Sequence, residues 1–229
     1  MAEVRVGDLR IFLYLSQVAM KKIFILPFFG EYPSWMDQWV ANMEHLDYDY
    51  KIFSNLKRFK ERVGDILKID PYIIGGTGKV WDYRVAFGVL YADEIKGYDA
   101  WGHTDFDCVY GDVDSFMPKE WDIWSNHVDY ICGPWTLYKN TDKVNNIFRL
   151  YDGWEDKLAN PRITAWGEYE YTPVVNANCN IVYTFYQTKS QDDFSQLRYE
   201  NGKLYDGEDE VMMAHFRHVK VYPFERYVI

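Results

Sequence analysis

The chain has 229 residues and a mass of 27.3 kDa, and 48% of its residues are hydrophobic, enough for a substantial buried core and too many for a disordered chain. Lys and Arg total 25 against 35 Asp and Glu, a formal charge of −10, which excludes a nucleic-acid binder driven by a basic face. The unusual quantity is aromatic content, with 20 Tyr, 14 Phe and 9 Trp, so the sequence describes an acidic, aromatic-rich globule.

In chain order, the apolar stretch Ile11 to Met20 is too short to cross a bilayer. Lys21 and Lys22 follow it rather than precede it, the wrong order for a signal peptide. Residues 1–21 read as an extension, strand or helix or leader, before a single domain over 22–229. Lys22 to Phe28 predicts a buried strand. Trp35, Met36, Trp39, Val40, Met43 and Leu46 predict a helix, entered through Pro33. Tyr50 to Ser54 predicts a strand, and Phe59, Val63, Ile66 and Leu67 a helical stripe facing inward. Asp82 suits the cap of a third helix carrying Val85, Ala86, Val89 and Leu90, and Tyr98 to Tyr110 reads as a further strand.

The second half is less regular. Val128 to Tyr138 predicts strand, turn at Gly133-Pro134, strand, and Thr141 to Tyr151 a short helix with Val144, Ile147 and Phe148 inward. Cys179 to Tyr186 alternates as a strand, Asn201-Gly202 marks a hairpin, and Val211 to Val221 predicts a closing strand. The expected architecture is therefore α/β, a mostly parallel sheet flanked by helices with a smaller antiparallel part in the second half. In such sheets ligands sit beyond the carboxyl ends of the strands. Cys108, Cys132 and Cys179 form no Cys-x-x-Cys pair, which points to a reducing compartment rather than a disulfide framework.

The segment "GYDAWGHTDFDCVYGDVDSF" carries the most chemistry. On a strand, Asp105 and Asp107 point to one face and Phe106 and Cys108 to the other. Two converging carboxylates repel unless a cation lies between them, and Mg²⁺ or Mn²⁺ there would grip a diphosphate. The plain alternative is that each aspartate caps a turn, the better reading for Asp112 and Asp114. In "GGTGKVWDYRVAFG", Gly75, Gly76 and Gly78 precede Lys79, Asp82 and Arg84, but the spacing fits neither the P-loop nor the dinucleotide-binding pattern. On spacing alone it reads as a loop entering a helix. The late "MMAHFRHVK" puts His215 and Arg217 on one strand face and His218 and Lys220 on the other.

Together these segments resemble glycosyltransferases of the GT-A fold, and more closely the bacterial and viral proteins of polysaccharide-synthesis clusters. The matching pieces are "LPFFGEYPSW", "GKVWDYRVAFG", the Asp-x-Asp segment, "GPWTLYKNTDKVNNIF" and "AHFRHVK", in family order over about residues 22 to 220. The resemblance implies a nucleotide-binding half, 22–118, and an acceptor-side half, 119–229. It implies that Asp105 touches the ribose and shares a metal with Asp107 and His215. It also implies that Lys220 faces the phosphates, that Lys79, Asp82 and Arg84 lie near nucleotide and donor sugar, and that Phe28, Phe29 and Gly30 run beside the nucleoside. Glu168, in "WGEYEYT", is the expected base that takes the acceptor proton, with Asp107 the other catalytic residue. Ser54-Asn55 departs from the family, where many relatives carry an Asp, and leaves the donor base open, with a UDP-sugar favoured over a GDP-sugar.

The expected activity is thus transfer from a nucleotide-diphosphate sugar to a glycan or lipid-linked acceptor, in the cytoplasm or peripheral at a membrane, with Mn²⁺ or Mg²⁺ as cofactor. A sugar nucleotidyltransferase would need a basic phosphate loop where Phe28-Phe29-Gly30-Glu31 stands. A non-catalytic glycan-binding module would use exposed aromatics, for which Trp81, Trp101, Trp135, Trp166, Tyr169 and Tyr171 are the candidates. A glycoside hydrolase is a further alternative, but it needs its two carboxylates flanking a bond, about 5–9.5 Å apart, and residues 105 and 107 on one strand face are better placed to share a metal. An acidic chain repels an anionic diphosphate, so the charge balance itself argues for a divalent ion.

Overall fold

The computed structural model describes residues 2–6, 9–13, 20–71, 78–127, 129–184 and 194–216, with side chains from residue 20 onward. Ala2–Val6 (β1) and Leu9–Leu13 (β2) form an antiparallel pair, so the described part of the extension is strand. Lys22–Pro27 (β3) sends Ile23 and Ile25 into one buried cluster and Phe24 and Leu26 into another. A strand buried on both faces must read as a continuous apolar run, which is how this segment announces itself.

Met36–His45 (α1) covers the second face with Trp39 and Met43. Asp49–Phe53 (β4) pairs parallel with β3. Leu56–Leu67 (α2) is capped by Asn55, whose side chain accepts from the Arg58 amide at 3.0 Å, and it lays Phe59, Val63 and Leu67 on the first face. Ile66 falls outside the expected stripe and is 41% exposed. The third helix departs from expectation. Gly78–Ala86 is a 3₁₀ run, followed by one short α-turn, Phe87–Leu90 (α3), whose N-cap residue is Ala86. Asp82 caps nothing because distant backbone claims it: it accepts from the amides of Thr164 and Ala165. Gly75 and Gly76 lie outside the described residues.

Ala100–Thr104 (β5) pairs parallel with β3, and the chain then leaves this sheet before Cys108–Tyr110 (β6). Ile123–Ser125 (β7) and Trp135–Lys139 (β8) form an antiparallel pair, and β8 also lies antiparallel to β5. The strand expected upstream of Gly133-Pro134 is therefore β7, earlier than Val128, and residues 126–134 form the connection. At Gly102 a Cβ would stand 2.4 Å from the Thr136 carbonyl oxygen, so β5 and β8 approach this closely only over glycine.

Asp142–Asn146 (α4) is capped by Thr141 and continues as a 3₁₀ turn, burying Val144, Ile147 and Phe148 as expected. Trp154–Ala159 (α5) and Thr172–Asn178 (α6) lead to Ile181–Tyr183 (β9), parallel to β7. The six-stranded sheet runs β4-β3-β5-β8-β7-β9, with β8 alone reversed. The fold is the expected mixed α/β arrangement with a mostly parallel sheet.

Leu197–Glu200 (β10) and Lys203–Asp206 (β11) form the hairpin foreseen at Asn201-Gly202, both turn residues having positive φ, 52° and 81°. Asp209–Val211 (β12) extends it, and Met213–His215 (β13) crosses to pair antiparallel with β6. The predicted closing strand is thus two short strands in different sheets. Its remainder lies outside the described residues.

Candidate functional site

β3 and β5 are parallel neighbours, so Pro27 and Thr104 end side by side, and a cavity of about 550 Å³ opens beyond them. Pro27 and Phe28 follow from β3, and Trp81, Arg84 and Phe87 come from the 3₁₀ run and α3. His103 to Asp107 form the centre, with His127, Tyr130 and Pro134 from the β7–β8 connection, Glu168, and His215 at the end of β13.

Asp105 and Asp107 do not sit on one strand as their spacing suggested. β5 stops at Thr104 and β6 starts at Cys108, so the Asp-x-Asp occupies the turn where the chain passes between sheets. That turn is pinned along its backbone. The Asp105 amide donates to the Pro134 carbonyl at 2.9 Å, the Trp35 indole donates to the Phe106 carbonyl at 2.8 Å, and the Phe216 amide donates to the Asp107 carbonyl at 2.9 Å. The Phe106 ring packs edge-on against Phe28 and Trp39, anchoring the residue between the two acids. Each acid consequently meets its own partner.

Asp105 forms an ion pair with the buried Arg84 guanidinium, which also reaches the Cys132 and Gly133 carbonyls. Burial, with Asp107 alongside, pushes the Asp105 carboxyl above its usual range although Arg84 and His215 pull the other way. Burial opposes the Arg84 charge, but Asp105 outweighs it and holds the guanidinium protonated. Asp107 faces His215, whose Nε2 lies 3.4 Å from Oδ1. The register of β13 on β6 makes this contact, placing His215 opposite Cys108.

The oxygens and nitrogen here fit a divalent cation. Asp107 Oδ1 is buried and has no hydrogen-bond partner, a costly state for a carboxylate oxygen unless something positive meets it. Ligand atoms of Asp107, Cys108 and His215 all lie within 4.8 Å of one another. Burial, reinforced by Asp107 and Asp105, pushes the Cys108 thiol well above its ordinary range. A bound metal would itself draw the proton from that thiol, so Asp107 and His215 are singled out by their facing side chains rather than by the protonation of Cys108. Asp105, expected as a third ligand, is occupied by Arg84.

Of the other predicted residues, Phe28, Arg84 and Glu168 line the cavity. Lys79 and Asp82 do not. Lys79 donates to Asp82 at 2.8 Å and to the carbonyls of Lys157 and Arg162, and Asp82 takes the Thr164 hydroxyl besides the two amides, so both are spent inside the wall. Phe29 is buried against Phe59, and Gly30 is exposed away from the cavity. His218 and Lys220 lie outside the described residues. Asp112 caps the 3₁₀ turn Val113–Phe116 as expected, whereas Asp114 pairs with Lys22 and Tyr48. Trp101, Trp135, Trp166 and Tyr171 are wholly buried and serve the core, which leaves Trp81 and Tyr169, 52% and 64% exposed, as the candidates with exposed ring faces.

Sequence reasoning missed His103, His127 and Tyr130 in the lining. His103 had a signal, since it lies on β5 only two residues before Asp105, at the strand end that leads into the Asp-x-Asp turn. Its burial pushes the imidazole well below its usual range, and Arg84 adds to the effect. His127 and Tyr130 had none, because only the β7–β8 connection brings their stacked rings to the cavity.

The sequence profile of the family of unknown function DUF6625 matches residues 50–222, which includes most of these residues. The chain belongs to DUF6625. That match spans the 3₁₀ run, the Asp-x-Asp turn, Glu168 and His215, so in this member of DUF6625 every cavity element except β3 and the segment following it lies within the family region. No curated protein matches the chain. No helix among the described residues is long and apolar enough to cross a membrane.

Proposed function

We propose that this DUF6625 protein is a metal-dependent glycosyltransferase that moves a sugar from a nucleotide-diphosphate donor to a glycan or lipid-linked acceptor. The observation that carries the reading is the meeting of Asp107 and His215 at the carboxyl ends of parallel strands, with Arg84 ion-paired to the neighbouring Asp105. In the transfer, an acceptor oxygen forms a bond to the anomeric carbon while the bond from that carbon to the diphosphate breaks. Asp107 and His215 would hold a divalent ion, which would supply charge neutralisation for the departing diphosphate.

The remaining work falls to side chains. Arg84 offers a charged donor that can exchange Asp105 for a phosphate oxygen, an exchange of one anion for another in a half-buried place. Glu168, in the cavity wall, takes the proton of the acceptor hydroxyl in an inverting reaction. Trp81 and Tyr169 present exposed aromatic faces near that wall, suited to stacking on the acceptor. The UDP-sugar remains the favoured donor.

Thermal-shift measurements with UDP- and GDP-sugars, each with and without Mn²⁺, test the reading. One nucleotide sugar stabilising the protein only with metal supports it. Metal-independent binding, or none with any nucleotide sugar, overturns it. Release of pyrophosphate from a nucleoside triphosphate and a sugar 1-phosphate would identify a nucleotidyltransferase instead.

A further inference from the structure

His103 is 1% exposed, yet it borders the cavity, and neither ring nitrogen has a hydrogen-bond partner. The groups beside it in the chain and at the cavity wall that could serve it are engaged elsewhere or apolar. Arg84 is taken by Asp105 and two carbonyls, Thr104 bonds the Tyr110 hydroxyl, and Ile25 and Phe87 offer only hydrocarbon. Tyr138 stands against the ring, 6.0 Å between centroids, but shares its own hydroxyl with Cys132. A buried polar group left without a partner is costly, so two such nitrogens at a cavity wall point to a partner that enters from the cavity.

The geometry points to His103 as the residue that reads a hydroxyl of the transferred sugar. This rests on the glycosyltransferase reading and narrows it. An anion entering here would find Arg84 better placed, and a cation would find the two aspartates. What suits a buried imidazole with both ring nitrogens unpartnered is a group that both donates and accepts. A hydroxyl does both, and the C–H face of a sugar ring matches the hydrocarbon of Ile25 and Phe87. A pocket built around a hydroxyl rejects the ligand lacking it strongly, because its own polar atoms are then stranded.

Calorimetric titration in Mn²⁺ tests this with UDP, GDP, UDP-glucose, UDP-galactose, UDP-N-acetylglucosamine and GDP-mannose, on the parent, His103→Phe and His103→Gln. Expected are parent binding of one sugar nucleotide more tightly than its bare nucleotide, a loss of about 10-fold or more for that ligand in His103→Phe, and recovery of most of it in His103→Gln. Bare-nucleotide affinity should stay within about 2-fold in both variants, reporting that the nucleotide site is intact. Unchanged sugar-nucleotide affinity in His103→Phe overturns the inference and leaves a bound water as the partner. Loss of bare-nucleotide binding in both variants also overturns it, assigning His103 a structural part. Where His103→Phe does not fold, monodeoxy analogues of the preferred sugar nucleotide on the parent decide: one position must lose about 10-fold, and none losing it overturns the inference. If no probe binds the parent, the glycosyltransferase reading itself falls, and this assignment with it.

Discussion

Two acid–base pairs begin in the same 3₁₀ run and end in different roles. Lys79 and Asp82 keep 4% and 0% of their side chains exposed, and their remaining hydrogen-bonding capacity goes to the backbone of residues 157–165. Arg84 and Asp105 keep 10% and 27% exposed and border the cavity. The first pair has no capacity left for a ligand. The second retains exposed surface through which one could compete for Arg84. A polar motif therefore divides between residues that build a wall and residues that face what the wall encloses, and the difference lies in their tertiary partners rather than in their chemistry.

The largest effect should come from breaking the closed pair. Asp82→Ala strands a buried ammonium and should destabilise the fold by about 3–5 kcal/mol in urea or thermal unfolding, whereas Lys79→Met with Asp82→Asn should be milder than either change alone. If Asp82→Ala unfolds like the parent and loses only ligand binding, the contrast between the pairs is reversed. Next is Asp107→Ala, expected to lower metal-dependent turnover about 10²–10³-fold. Its melting temperature should match or exceed the parent's, since Asp105 loses a like-charged neighbour. A large drop in melting temperature would make Asp107 a structural residue.

Arg84→Met should weaken nucleoside-diphosphate affinity about 10-fold or more, with Arg84→Lys recovering only part because a lysine lacks the guanidinium fork. Its cost in stability should be smaller than that of Asp82→Ala, a comparison best made in one set of melts. The smallest effect belongs to a pair remote from the cavity. Burial works against the Glu94 charge, but its hydrogen bond to Arg62 at 2.6 Å wins and lowers the carboxyl below its ordinary value. That stabilisation is complete above the ordinary glutamate range and fades as pH falls through the lowered folded value. Glu94→Gln should flatten this acid limb of the stability curve and leave ligand affinity alone. A shift in nucleotide affinity would link the two regions.

Much of the scaffold was legible because it is local. The apolar run of β3, the stripe of α2, the Thr141 cap and the Asn201-Gly202 hairpin each follow from a few neighbouring residues. The errors occur where a distant partner prevails. Asp82 matches a helix cap until the Thr164 and Ala165 amides are folded against it. Asp105 and Asp107 match one strand face until β6 leaves the sheet to pair with β13. Identities within the site were readable, since Asp107 and His215 were both marked by type and setting. Their proximity was readable only through the resemblance, because no local pattern pairs residues so far apart.

The pairing of β13 with β6 also sets an order of events during synthesis. Asp107 emerges from the ribosome well before its partner, and β6 must wait with an unpaired edge until Met213–His215 arrives. Long-range pairing of this kind is slow to form and late to contribute. The contact between Asp107 and His215 therefore forms only once nearly all the described chain has been made, so a nascent or truncated product lacks it however much of the sheet has formed.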